Sequence, residues 1–339
     1  MATVIYFATF RDGLGADYSV YQSYCEREMF YSNLWFLIEP IPAFLYRLCY
    51  ETQYSAILFF FVSSCVIYIS CFKVYSKQLN FGISAFVFMT YTLLFLGSLN
   101  VVRQFMASSI VLVGVYYFII RKKSPWYFAI VLIAFMIHKS VILFVPMYWI
   151  RKDNFNPVLW IGIILVSMIL PTDWIFASSN IKSFLTLLDY DTLLKHNVMA
   201  YSKFSVSNIY LHSIVIMFLL KSRKIKARTG GDDFCVFALK MSVFGLVCNN
   251  LSAGDLPIAY RYSMMFSLYL PLLFAYLPKI VDNGVARFIT YIPLFILLMT
   301  VLLPRVDDRI YCPQRILTIE SIYDTEYHPY ENPDVVIRP

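Results

Sequence analysis

Apolar runs and short charged clusters alternate along most of this 339-residue chain. Residues 54–72, YSAILFFFVSSCVIYISCF, carry no charge and are followed by Lys73 and Lys77. Their length matches the roughly 20 residues a helix needs to cross a bilayer. A second apolar run, 81–99, closes on Asn100, Arg103 and Gln104. A third, 104–120, closes on Arg121, Lys122 and Lys123. Later spans are expected at 154–172, 205–220, 234–252, 258–277 and 286–303. The first ten residues, MATVIYFATF, are apolar but too short to span, and they show no signal-peptide pattern. They read as the last turns of a span whose beginning is missing, or as a late start site.

The stretch between Lys123 and Arg151 departs from this rhythm. Residues 124–137 and 140–150 are each apolar yet short, with His138 and Lys139 between them. At 1.5 Å of rise per residue, neither half crosses a core of roughly 30 Å. One long span would put the 121–123 cluster and the Arg151–Lys152 pair on opposite sides. A hairpin reversing at His138 puts both on the cytoplasmic side, as the positive-inside rule requires. The hairpin is therefore expected, with His138 at or below the external interface.

Counting spans in order then gives consistent sides. Lys73, Lys77, the 121–123 cluster, Arg151, Lys152, KSRKIKAR at 221–228 and Lys279 fall inside. The external loops are 11–40, around Asn100–Arg103, around His138, 173–204 and around Asn249–Arg261. No internal loop is long enough for a catalytic domain. The fold class expected is all-α and polytopic, with about 10 to 11 transmembrane or half-spanning helices. Residues 1–303 form one membrane-embedded catalytic domain, and 304–339, which mix Arg with Asp and Glu, form a loose tail. No internal repeat or inverted-repeat signature is visible.

Composition agrees. Apolar residues make up 60% of the chain and charged residues 14%, well under the roughly 25% of soluble domains. Aromatics reach 18%, which suits membrane-interface belts. The net charge of +7 resides in loops between apolar runs, so nucleic acid is not an expected partner. The seven cysteines show no CxxC or CxxH spacing and read as small hydrophobes, not as a metal or disulfide framework.

Ionisable groups at membrane depth need a reason to be there. Arg103 offers five fixed donors suited to phosphate oxygens, or else snorkels to water. His138 is a general base near neutral pH, or else a histidine bonded to a backbone carbonyl in a turn. Arg261 is a second phosphate ligand or an outer-end anchor. Asp17 and Glu39 are carboxylates of the first external loop, solvated by default. Lys240 lies near enough to the inner end of its span to snorkel, and His212 reads as a packed polar residue. The DxD at Asp189–Asp191 lies in an external loop without a strand pattern and carries no weight. Motifs of metalloproteases, serine hydrolases and phosphate-binding loops are absent.

Five features in order resemble the EpsG/Wzy-type bacterial polysaccharide polymerases over residues 5–275. They are RDGLGADYSVYQ, Glu39 in LIEPIPAFLYRL, NVVRQFMASSIVL, MIHKSVIL and AYRYSMMF. The resemblance implies a membrane glycosyltransferase with GT-C-like architecture in the bacterial inner membrane, acting on the periplasmic or outer face. Its partners would be a donor and an acceptor oligosaccharide, each linked to undecaprenyl diphosphate, within the lipid bilayer. A flippase and a chain-length regulator would work beside it. Arg103, Arg261 and Arg11 would bind the diphosphate, and His138, Asp17 or Glu39 would take the acceptor proton. Gln104, Asn100 and Tyr18 would support them. No cofactor and no metal is expected, because arginine supplies the positive charge. The alternatives are a flippase or transporter of the same lipid-linked sugars, an O-antigen ligase, and an O-acetyltransferase.

Overall fold

Among the described residues, three helices are long and apolar enough to cross a membrane, spanning Ile57–Tyr75, Val102–Arg121 and Asp233–Leu251. The computed structural model describes residues 1–13, 15, 17–26, 39–52, 56–78, 80–91, 94–150, 156–170, 206–222, 233–252, 257–281, 284 and 315–316. The expected span 286–303, the loop 173–204 and the bulk of the tail lie outside them.

In chain order the helices are α1 (Ala2–Thr9), α2 (Tyr18–Glu26), α3 (Pro40–Thr52), α4 (Ile57–Tyr75), α5 (Phe81–Thr90) and α6 (Phe95–Asn100). Then come α7 (Val102–Gly114), which continues as a π-helical stretch over Val115–Arg121, and α8 (Trp126–Phe135). A 3₁₀ segment covers Lys139–Trp149. After it follow α9 (Pro157–Ile169), α10 (Val206–Leu220), α11 (Asp233–Ser252), α12 (Pro257–Ser267), α13 (Leu270–Ala275) and α14 (Leu277–Ile280). Among the described residues the only sheet is a ladder of two short strands, β1 (Arg11–Asp12) and β2 (Arg315–Ile316). The protein is thus an all-α polytopic membrane protein.

The hairpin forms. Tyr127, at the start of α8, donates its hydroxyl to the Phe144 carbonyl at 2.8 Å. Its ring lies 6.2 Å from Tyr148, and Phe128 lies 5.5 Å from Trp149. The two arms on either side of His138 therefore face each other. The turn is enforced at His138, whose backbone is extended (φ −155°, ψ 121°). Pro146 lacks an N–H and helps keep the returning arm out of a regular α-helix.

Two expected spans are interrupted. The run 81–99 splits into α5 and α6, with Tyr91 extended between them. The run 258–277 splits into α12, α13 and α14, with Pro271 and Pro278 just inside the second and third pieces. Hydropathy reads only the side chains, so it cannot see backbone breaks inside an apolar run. Each break frees carbonyls that lipid cannot satisfy. At the second break neighbouring side chains do so instead. The Tyr75 hydroxyl donates to the Leu268 carbonyl at 2.9 Å, Ser84 to Pro271 at 2.9 Å, and the Asn80 amide to Ala275 at 3.0 Å. Lys240, expected to snorkel, is instead buried within the bundle at 3% exposure.

α4 packs along α7, and the two run in the same direction. Lys73 near the end of α4 lies 5.7 Å over the Tyr117 ring near the end of α7. Lys73 and the cluster at Arg121, Lys122 and Lys123 thus lie at one end of the bundle. The starts of α4 and α7, the hairpin turn and the loop after α1 gather at the other. α7 and its π-helical extension separate these ends by about 27 Å between residues 103 and 121. The β1–β2 ladder brings Arg315–Ile316 of the tail to the second end.

Removing the donors at the second break should loosen it. Tyr75→Phe leaves a buried carbonyl unpaired and is expected to destabilise the protein by about 1–3 kcal/mol. Ser84→Ala should behave likewise. Thermal unfolding in detergent checks this, and an unchanged melting temperature for both variants would contradict it.

Candidate functional site

Short-range sequence signals build the loop that starts the site. Gly13 and Gly15 adopt positive φ (65° and 105°), which L side chains rarely do. A Cβ on Gly15 would also sit 2.9 Å from the Leu99 carbonyl oxygen, so this glycine permits close approach to the end of α6. There the Asp17 N–H donates to the Asn100 side-chain oxygen at 3.0 Å. Asp17 then leads into α2, and Val20 and Tyr21 share its side of the helix at spacings of three and four.

The second wall comes from α7. Val101 is the single residue between α6 and α7, and the chain turns back on itself there. Arg103 and Gln104 follow in the first turn of α7. The Gln104 amide donates to the Arg261 backbone carbonyl at 2.8 Å, which ties α7 to α12. Its Oε1 is buried with no hydrogen-bond partner among the described residues.

The hairpin turn supplies the third wall. The Ile41 N–H, in the first turn of α3, donates to the Met136 carbonyl at 3.2 Å. This contact brings Glu39 to His138. Glu39 is 3% exposed, and its two oxygens are divided between partners. Oε2 accepts from Arg103 Nη1 at 2.6 Å. Oε1 meets His138 Nδ1 at 2.7 Å and accepts the Lys139 N–H at 3.2 Å.

Asp17, Val20, Tyr21, Val101, Arg103, Gln104, His138 and Arg261 enclose one cavity of about 170 Å³. Ligand pockets for drug-sized molecules start at roughly 300 Å³, so this cavity admits a charged group or part of a sugar ring. Among the described residues no carboxylate lies within ion-pair distance of Arg261, whereas Arg103 is neutralised by Glu39. The net charge of the site therefore turns on Asp17, which lines the same cavity beside both guanidinium groups.

The protonation states follow from burial and neighbours. Burial raises a carboxyl, but at Glu39 it is outweighed by the hydrogen bond from His138, the Arg103 charge and the Lys139 N–H. Glu39 is held below its ordinary range and stays ionised. Burial lowers His138 below its ordinary range, only partly offset by Glu39. The imidazole is thus neutral at neutral pH. Its Nδ1–H donates to Glu39, which leaves Nε2 as the nitrogen with a lone pair. Asp17 is pushed up by burial, against the pull of Arg261 and Arg103. A neutral imidazole, a carboxyl with raised affinity for protons and two guanidinium groups can together accept a proton and hold an anion.

Not all the expected residues meet at the cavity. Asp17, Arg103, Gln104, His138 and Arg261 line it. Glu39 stands behind it, bonded to two of them. Asn100 anchors the Asp17 backbone. Tyr18 stacks on Phe60 at 5.1 Å, away from the lining. Arg11 is buried at 3%, donates to the Ala8 carbonyl at 2.9 Å and lies 4.2 Å over the Phe60 ring. It does not line the cavity. Sequence reasoning passed over Val20, Tyr21 and Val101. The spacing from Asp17 points to the first two, and Val101 has no such signal. Among the described residues no three His, Cys, Asp or Glu side chains group as metal ligands.

No curated protein and no solved structure matches the chain. The model of the EpsG family matches residues 1–310. That match takes in every wall of the cavity, from the glycine loop before Asp17 to Arg261 on α12. On a match of that length, the chain belongs to the EpsG family.

Proposed function

We propose that this membrane protein is a glycosyltransferase that polymerises oligosaccharide repeat units carried on undecaprenyl diphosphate. Family membership supports a polysaccharide polymerase type of role. The observation that carries the finer reading is the cavity itself. His138 and two arginines line it, and Glu39 bridges His138 to Arg103. The reaction proceeds on the external face of the bacterial inner membrane, because the cavity lies at the end of the bundle away from Lys73 and Arg121.

The chemistry needs two things at once. The acceptor hydroxyl must lose a proton as its oxygen bonds to the anomeric carbon. The bond from that carbon to the lipid diphosphate must break, leaving negative charge on the phosphate. His138 Nε2 takes the proton. Glu39 holds the ring by Nδ1 and favours the imidazolium that forms. Arg261 and Arg103 face the departing diphosphate, where fixed donors act most strongly because water is largely excluded. Arg261 brings a charge that no described carboxylate meets at ion-pair distance, and Arg103 brings direction, since Glu39 fixes its guanidinium. Asp17 borders both groups and orders the acceptor. A transport reading is favoured by one observation, the two interrupted spans, since broken helices line the binding sites of many transporters.

Single substitutions separate these readings. Arg103→Ala and Arg261→Ala, each placed in a deletion strain, should leave single repeat units on the carrier or on lipid A core in place of polymer. Full-length polymer from both would remove the arginines from diphosphate binding. His138→Ala should slow polymerisation by about 10²–10⁴-fold in vesicles, the usual contribution of a positioned base. A transporter would keep its flux in this variant.

The pH profile tests the base directly. Activity should fall as acid protonates His138, with the limb below pH 6.5, the ordinary histidine value, because burial lowers this group. Glu39→Gln removes a negative charge that stabilises the imidazolium, so the acid limb should move to still lower pH. If Glu39 itself were the base, Glu39→Gln would abolish activity at every pH. A limb that stays in place in Glu39→Gln would disconnect Glu39 from His138.

A further inference from the structure

Gln104 lines the cavity and is 1% exposed, and only half of its carboxamide is satisfied. Nε2 donates to the Arg261 carbonyl at 2.8 Å. A carbonyl oxygen accepts and cannot donate, so the NH₂ must face it. A flipped amide would set two acceptor oxygens against each other. The orientation of Oε1 is thereby fixed, and among the described residues nothing donates to it. Two guanidinium groups line the same cavity, yet neither gives Oε1 a hydrogen. Buried polar atoms in folded proteins are nearly always paired. Gln104 belongs to the cavity wall, so a molecule bound there is placed to supply the missing donor.

The chemistry of that partner follows. Oε1 carries lone pairs only, so it takes an O–H or an N–H. A diphosphate ester has no hydrogen to give at neutral pH, and its oxygens would be repelled by this one. A sugar hydroxyl fits, as does the N–H of an acylated amino sugar. Position says which sugar. Gln104 follows Arg103 directly and is bonded to the Arg261 backbone, so it joins the two residues read as facing the departing diphosphate. A cavity of about 170 Å³ leaves room beside the anion for no more than part of a ring. The hydrogen donor must therefore sit within a few bonds of the diphosphate. The sugar attached to that diphosphate meets this condition.

We propose that Gln104 is a specificity residue that accepts a hydrogen bond from the donor sugar, through the hydroxyl or acylamino N–H on the ring carbon next to the anomeric centre. This rests on the polymerase reading of the cavity, and it adds a sugar-reading side to a site otherwise built to hold charge. The contact also favours reaction. As the bond to the diphosphate breaks, the anomeric carbon becomes electron-poor and the neighbouring hydroxyl becomes a stronger donor. An acceptor fixed beside it then gains strength in the transition state. A sugar lacking that donor leaves Oε1 unpaired, which is how a polar wall rejects a near-isostere.

Binding of two lipids to the detergent-solubilised protein tests this. Undecaprenyl diphosphate offers the anion alone. The lipid-linked single repeat unit extracted from the deletion strain adds the sugar. The wild-type protein should bind the second about 10-fold more tightly, the worth of one buried acceptor gaining its donor. Gln104→Met keeps the side-chain length and removes Oε1. Gln104→Lys also removes Oε1 but keeps a donor for the Arg261 carbonyl, so it guards against loss of the fold. Both should erase that preference, and Gln104→Met should leave undecaprenyl diphosphate binding unchanged. A preference retained in both variants, or absent from the wild type, overturns the contact. Equal loss of affinity for both lipids in Gln104→Met would make the residue a support for Arg261 alone, and overturns it too. Each of these leaves the polymerase reading standing while the wild type makes polymer and Arg261→Ala does not. Polymer from both Arg103→Ala and Arg261→Ala takes the diphosphate out of the cavity, and the proposal falls with that reading.

Discussion

Glu39 is a carboxylate withdrawn from water at the end of a bundle whose other groups are mostly apolar, and the site depends on how its charge is met. An isolated buried carboxylate would be protonated. Here one oxygen is met by the Arg103 guanidinium and the other by His138 and a backbone N–H. Three segments separated by 64 and 99 positions are thereby drawn together. The same contacts orient both partners. Arg103 cannot swing away without stranding the carboxylate, and the histidine ring cannot flip without losing its Nδ1 bond. Removing one partner of such a buried group is far more damaging than its net worth suggests, because the other is left unpaired.

The bilayer explains why so much of the remaining structure is devoted to satisfying backbone. Hydrocarbon offers no hydrogen bonds, so each irregular stretch must be closed by protein groups. The hairpin at His138 is closed by Tyr127. The interruptions in the α12–α14 region are closed by Tyr75, Ser84 and Asn80, all from α4, α5 or the turn between them. Buried serines on the long helices turn inward to carbonyls one turn back, as at Ser63, Ser108 and Ser242. The interrupted helices are what allow polar groups to converge at one end. A straight helix of 20 residues can carry a side chain to the membrane edge but cannot fold its own backbone around a cavity.

The two ends of the bundle do different work. Lys73 and the cluster at Arg121, Lys122 and Lys123 lie at one end. At the other end, Arg261 and Arg103 face a cavity instead of open water, where a guanidinium interacts more strongly with an anion. The positive charge of the chain is thus divided between the two ends, and composition alone does not separate them.

The sequence by itself determined the class of molecule. Charge-free runs of spanning length admit few other folds, and the positive-inside rule orders them. The half-length runs flanking His138 also required a reversal, because neither crosses the core alone and the flanking cations belong on one side. Asp17, Arg103, His138 and Arg261 were legible as candidates, since each is an ionisable group at the edge of an apolar run. Tertiary structure alone decided how they divide the labour. It placed Glu39 behind the cavity as the group that holds two others, and moved Arg11 onto Phe60. It also interrupted two runs that read as continuous. The reason is common to all of these. Hydropathy and spacing report the solvent a segment prefers. Which side chains meet depends on contacts between segments dozens of residues apart, and no local pattern encodes them.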